Sequence, residues 1–274
     1  MTERIKISFL GGGNMATALI GGLAERGFAS PDIQAVDLQA DSRARLAERF
    51  GIRTAQAVDD DVLGCDVVVL AVKPQQMKAA VAPLAGRLTR QVVVSIAAGL
   101  RLADVGRWLG GYHRLVRAMP NTPALIGAGV TGLYADPSVD AAGREAAERI
   151  LGAVGSTVWI ADEAQMDAVT AVSGSGPAYV FHFIEALEAA GVSLGFDAAT
   201  ARRLALDTVL GAAKLAAGAD EAPAVLRERV TSKGGTTEAA LASMASSGVF
   251  DAIVRAVHAA DVRGRELGEQ LGKD

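Results

Sequence analysis

Two glycine turns in this sequence each have the form of a backbone pocket for an anion. The first, "FLGGGNMA" (9–16), follows the apolar run "IKISFL" and opens a helical pattern. The second, "TSKGGTTEAA" (231–240), again leads from adjacent glycines into a helix. A helix start presents N–H groups without intrahelical partners and a partial positive charge, both suited to phosphate or carboxylate. In the first turn Gly11, Gly13 and Ala16 fit the pattern G-x-G-x-x-G/A directly after a strand pattern. There Gly11 permits the tight turn, Gly13 lets the backbone approach a pyrophosphate, and Ala16 lets the helix pack close to the sheet. The chemistry implied is dinucleotide binding.

Asp37 closes the next strand pattern, "DIQAVDL". An acid at that place takes the ribose hydroxyls of NAD and repels a 2′-phosphate. Ser42 and Arg43 follow and could serve that phosphate, so the local chemistry leans only slightly to NADH over NADPH. Lys73 in "LAVKPQ" lies just past a buried strand pattern, where Pro74 stiffens the exit. "MPNTPA" holds Asn121 and Thr122 between two prolines. Both places suit the presentation of polar groups to a nicotinamide or substrate at the C-terminal edge of a parallel sheet.

Conventional acid–base residues are sparse. The three histidines, His113, His182 and His258, have no partner motif, and "SGSGPAY" (173–179) lacks the strand-to-helix turn of a nucleophile elbow. No histidine pair or carboxylate cluster has the spacing of a catalytic metal site, so no metal is expected. Reducing a ketone develops alkoxide charge and calls for a proton donor. A protonated imine already carries its charge, and hydride addition to it needs mainly positioning.

The elements that must hold these residues fall into two groups. Strand and helix patterns alternate through about residue 162, which predicts a mainly parallel, doubly wound Rossmann-like sheet over 1–162. From 163 to 274 the patterns are all helical, predicting an α-helical domain, and wide apolar faces such as "LALDTVLGAAKLAAG" predict association with another copy. A chain of 274 residues is long enough for two such domains. The net charge of −4 gives no basic footprint for nucleic acid. The single Cys65 excludes an internal disulfide, reads as a small hydrophobe beside a strand, and fits a reducing compartment. No apolar run reaches membrane-spanning length and the N-terminal run is too short for a signal peptide, so a cytoplasmic protein without membrane partner is expected.

Taken together, "FLGGGNMATALIGGL", "AVKPQ", "VSIAAG", "RAMPNTPA", "AVSGSGPAY" and "TSKGGTTEAAL" resemble, in order, the motifs of the pyrroline-5-carboxylate reductase family, across about residues 5 to 267. The resemblance implies reduction of the cyclic imine L-1-pyrroline-5-carboxylate to L-proline, with NADPH or NADH as the hydride source. It implies an N-terminal Rossmann domain and a C-terminal helical dimerisation domain, and homodimers that in the family often assemble to decamers. Carried over by motif, Gly11, Gly12, Gly13, Asn14, Met15 and Ala16 would hold the pyrophosphate, and Ala71, Val72, Lys73, Pro74, Ile96, Ala97, Ala98 and Asn121 would line the cofactor. Ser232, Gly234, Gly235, Thr236 and Thr237 would cradle the substrate carboxylate, with Thr237 on the ring nitrogen. Lys233 departs from the family's usual proline. Two other readings compete: a β-hydroxyacid dehydrogenase, whose catalytic lysine could only be Lys214, and a dinucleotide sensor without turnover.

Overall fold

The computed structural model describes residues 4–273. Its strands are β1 (Ile7–Leu10), β2 (Ile33–Val36), β3 (Arg53–Ala55), β4 (Val67–Leu70), β5 (Val92–Ser95), β6 (Leu115–Met119), β7 (Gly129–Ala135) and β8 (Gly155–Trp159). They form one sheet in the order β3-β2-β1-β4-β5-β6-β7-β8. Neighbours run parallel except β6 and β7, which are antiparallel. The first six strands therefore have the doubly wound order, with the direction of winding switching between β1 and β4. Side chains alternate between two cores. Ile7, Phe9, Val67, Val69, Val92 and Val94 enter one cluster, while Leu10, Val68, Leu70 and Val93 enter the other. Burial on both faces is why these strands read as unbroken apolar runs.

Helices α1 (Asn14–Glu25), α2 (Ala40–Phe50), α3 (Asp60–Leu63), α4 (Met77–Val81), α5 (Leu102–Trp108) and α6 (Ala141–Leu151) cover the sheet connections. They are followed by α7 (Met166–Val169), α8 (Gly176–Ser193), α9 (Ala198–Ala217), α10 (Pro223–Arg229), α11 (Thr236–Ser246) and α12 (Val249–Leu271). The helical pattern predicted for 14–27 is thus α1, and that for 40–51 is α2, closed by Gly51 in the left-handed region at φ 64°. Strand β3 was not anticipated. Its three residues, Arg53–Ala55, are exposed or half-buried and carry neither an apolar run nor a clean alternation.

The chain packs as two compact units. One holds residues up to Ser175 together with Ala260 onward, and the other is Gly176–Ala259. This division differs from the 162/163 boundary expected above, and polar anchoring is the reason. Arg117, only 3% exposed on β6, reaches Glu163 at 3.2 Å and Asp167 at 3.4 Å. Glu163 also accepts from the Leu102 N–H at 2.8 Å. Met166 and Ala171 are buried, so residues 163–175 belong with the sheet. The end of α12 does too: Gly268 lies so close to Gly99 that a Cβ on it would sit 2.8 Å from the Gly99 oxygen.

The unit Gly176–Ala259 pairs α8 with α9 at small residues, where a Cβ on Gly191 would stand 2.9 Å from the Ala201 methyl. Ala201 and Ala205 are buried, but Phe181, Leu210, Leu215, Phe250 and Ile253 each expose more than half their surface. Large apolar side chains left bare in such number point to an interaction face. Among the described residues no single helix is long and apolar enough to cross a membrane.

Removing Arg117 would strand two carboxylates in a mostly buried setting. Arg117→Met is therefore expected to lower the unfolding free energy by about 3 kcal/mol, measured by urea denaturation. Neutralising both acids in the same background should restore most of that loss.

Candidate active site

The first glycine turn is built by strand ends that leave no room for side chains. Gly11 takes φ +102°, and a Cβ there would lie 2.6 Å from the Ala71 oxygen at the exit of β4. Its N–H donates to the Val36 oxygen of β2 at 2.7 Å, while Leu10 accepts from the Ala71 N–H at 2.7 Å. Gly12 is confined as well, since a Cβ would meet Leu46 at 2.8 Å. Gly13 differs: φ is −71°, and a Cβ would find nothing within 4 Å. It is the N-cap of α1, and neither a side-chain cap nor an acid occupies that helix start. The Gly13 and Asn14 backbone is thus exposed at a helix start whose partial positive charge is uncompensated, a place suited to an anion. Ala16, 1% exposed, packs into the core beneath it.

Beside this turn lies a cleft of about 730 Å³ outside the C-terminal ends of β1, β2 and β4. Gly11, Gly13, Asp37, Ala71, Val72 and Lys73 line it, joined by Gln56–Val58 and by Ala79 and Ala80, which sequence reading passed over. These wall residues carry no chemical motif, and only their place after a strand or on a short helix could have signalled them. The cleft sits where the winding of the sheet switches, the place at which doubly wound folds take ligands. Asp37 is fixed there by two bonds: Oδ2 accepts from the Gly12 N–H at 2.6 Å and Oδ1 from the Gln39 N–H at 2.7 Å. Its carboxylate retains further lone pairs for hydroxyl donors. Arg43 packs over the same strand end, its Nη1 donating to the Asp37 and Leu38 carbonyls at 2.7 and 2.9 Å. Acid and cation therefore share the end of β2 beside the cleft.

Other sequence candidates are not among the residues that line the cleft. Pro74 starts a 3-10 turn directly after Lys73. Ile96, Ala97 and Ala98 follow β5, with Ala97 buried and Ala98 exposed. Asn121 is buried and both ends of its amide are occupied: Nδ2 donates to Ser173 O at 3.2 Å and Oδ1 accepts from Val130 N at 2.9 Å. Its side chain braces the loop after β6 against the 173–175 segment.

The second glycine turn lies in the unit Gly176–Ala259. Gly234 takes φ +74°, Gly235 is the N-cap of α11 with no side-chain cap, and the Gly235 N–H donates to Ser232 O at 3.0 Å. Ser232 and Thr236 are exposed and Thr237 half-buried at the helix start. The N–H groups of Thr236 and Thr237 belong to the first turn of α11 and have no intrahelical acceptor. The Gly234 N–H already has a partner, the Glu238 Oε2 at 2.6 Å. Sequence reading missed Glu238, although an acid three residues after a helix cap is a recognised signature. Arg229, just upstream, is paired with Glu221 at 2.5 Å.

Fold and site together define a dinucleotide-dependent oxidoreductase with a helical second unit. Residues 6–99 match the family model described as NADP oxidoreductase, coenzyme F420-dependent, and residues 163–267 match the one described as pyrroline-5-carboxylate reductase dimerisation. A pyrroline-5-carboxylate reductase from Pseudomonas aeruginosa is 50% identical over 270 residues, covering 98% of each chain. The solved pyrroline-5-carboxylate reductase from Coxiella burnetii is 40% identical with a TM-score of 0.93, covering 97% of this chain and 99% of that one. That of Plasmodium falciparum pyrroline carboxylate reductase with NADP bound is 28% identical with a TM-score of 0.86, covering 98% and 100%. The chain belongs to the pyrroline-5-carboxylate reductase family.

The contrast between Gly11 and Gly13 gives a direct check on the dinucleotide site. Gly13→Ala adds a methyl where the protein has space and φ is ordinary, so the melting temperature should hold while the KM for cofactor rises about tenfold, roughly 1.4 kcal/mol of lost binding. Gly11→Ala should instead lower stability by more than about 1 kcal/mol, from the left-handed backbone and the Ala71 clash. Melting curves and cofactor titration separate the two effects.

Proposed function

We propose that this chain reduces L-1-pyrroline-5-carboxylate to L-proline with NADPH or NADH, dividing the work between its two glycine turns. The observation that carries this reading is their likeness. Gly13 and Gly235 are both extended N-cap glycines, each opening a helix without a side-chain cap. One turn serves the pyrophosphate and the other the substrate carboxylate, since each anion needs converging N–H donors.

The nicotinamide supplies the hydride when bound. The first turn, from Gly11 to Ala16, anchors the dinucleotide, and Asp37 and Arg43 face its ribose, a pairing that suits NADH and NADPH respectively. Ser232, Thr236 and Thr237 hold the carboxylate, with Gly234 and Gly235 shaping the turn. The Thr237 hydroxyl takes the ring nitrogen, orienting the charged imine so that no strong acid need stand by. Lys214 lies exposed in the last turn of α9, which gives the β-hydroxyacid dehydrogenase reading no support.

Residues 163–274 form the dimerisation and substrate domain in this reading. A homodimer accounts for the bare apolar faces of α8, α9 and α12, and decamers are the larger assembly. The enzyme works in the cytoplasm. Its one thiol, Cys65, is pushed up to about 11 by burial and stays protonated at neutral pH.

A mixture of protein, NADPH or NADH, and pyrroline-5-carboxylate should lose absorbance of the reduced cofactor in a substrate-dependent way. Absence of that loss with both cofactors would refute the reading. Thr237→Ala should cost about 1.5–3 kcal/mol, ten- to a hundredfold in kcat/KM, and normal turnover by that variant would exclude the role given to its hydroxyl.

A further inference from the structure

The second glycine turn contains an internal carboxylate. Glu238 lies in the first turn of α11 and reaches back to the Gly234 N–H at 2.6 Å. In an ordinary capping box the acid returns to the N-cap N–H. Here the N-cap is Gly235, whose N–H is already held by the Ser232 oxygen at 3.0 Å, and the acid takes the residue before it. The two contacts fasten neighbouring amides of a turn that has little else to define it. Gly234 and Gly235 are the most conformationally free residues available, and Lys233 beside them is exposed. Gly234 sits at φ +74° with open space around its Cα, so no packing contact selects this conformation. A hydrogen bond reaching back from the first turn of the following helix is a local restraint available to such an exposed segment.

The direction of the bond matters as much as its strength. With the Gly234 and Gly235 N–H groups engaged, the N–H groups of Thr236 and Thr237 remain for an incoming anion, together with the hydroxyls of Ser232, Thr236 and Thr237. A turn fastened in this way meets its ligand already shaped, and less ordering entropy is lost on binding. An opposite role is also conceivable for a carboxylate so placed, that of an internal rival for the substrate's own carboxylate. The two roles have opposite signs. The contact falls on Gly234, which shapes the turn, while the first-turn N–H groups stay open, and this favours the clamp.

We propose that Glu238 is a positioning residue: by accepting from the Gly234 N–H it holds the second glycine turn in its anion-binding shape. The proposal rests on the reading of that turn as the substrate-carboxylate site. It also explains why the turn can accommodate a lysine at 233, since the restraint comes from the helix side.

Full-length Glu238→Ala and Glu238→Gln enzymes test this against the unaltered protein. Glutamine can still accept from Gly234, whereas alanine cannot. Glu238→Ala should raise the KM for pyrroline-5-carboxylate about tenfold, with kcat and the cofactor KM within about twofold. Amide hydrogen exchange at Gly234 should speed up in the same variant, while Glu238→Gln stays close to the unaltered enzyme on both measures. Unchanged exchange at Gly234 in Glu238→Ala overturns the clamp. So does a KM that is unchanged or falls, or an equal loss in both variants, which would assign the effect to charge. If the unaltered protein failed to oxidise cofactor with this substrate, the functional reading would fall, and Gly234 exchange would still decide the clamp.

Discussion

Everything at the first glycine turn depends on one close approach. Gly11 leaves β1 with its Cα pressed toward the Ala71 oxygen, where a Cβ would stand at 2.6 Å. Its own N–H is bonded to Val36. Three parallel strands, β2, β1 and β4, therefore end at one residue that cannot bear a side chain. Their convergence aims the start of α1 at the cleft and leaves Gly13 open above it. Asp37 strengthens the arrangement from β2, binding the Gly12 N–H that the turn would otherwise leave without a partner.

The second turn has no comparable scaffold. It stands on α11 in a unit where Ala201 and Ala205 are buried but large apolar residues such as Phe250 and Leu215 lie bare. Local hydrogen bonds must define its shape, and the family match of residues 163–267 to a dimerisation domain accounts for what its helices are built to cover. The two turns use one physical device, the uncapped helix start. One is fixed by a sheet, and the other by a glutamate and a backbone carbonyl.

Much of this was legible in the sequence. The runs "DVVVL" and "QVVVS" announced strands buried on both faces, and "GGGNMA" announced a glycine turn from strand into helix, because those features follow from local chemistry. Long-range polar contacts were not legible. Nothing in "HRLVRAMP" signals that Arg117 will be buried against Glu163 and Asp167, yet that cluster ties residues 163–175 to the sheet. Asn121 looked like a group offered to a ligand, but both ends of its amide are engaged by backbone. β3 was too short and too exposed to show a pattern. For Arg117 the deciding partners lie some fifty residues away along the chain.

The central claim is that the two turns bind different ligands. Amide hydrogen exchange on the intact protein, with NADPH alone and with L-proline alone, tests it most directly. NADPH should protect residues 11–16 and leave 234–238 unchanged, and L-proline should do the reverse. Protection of the same turn by both ligands, or of neither turn by L-proline at saturating concentration, would contradict the account.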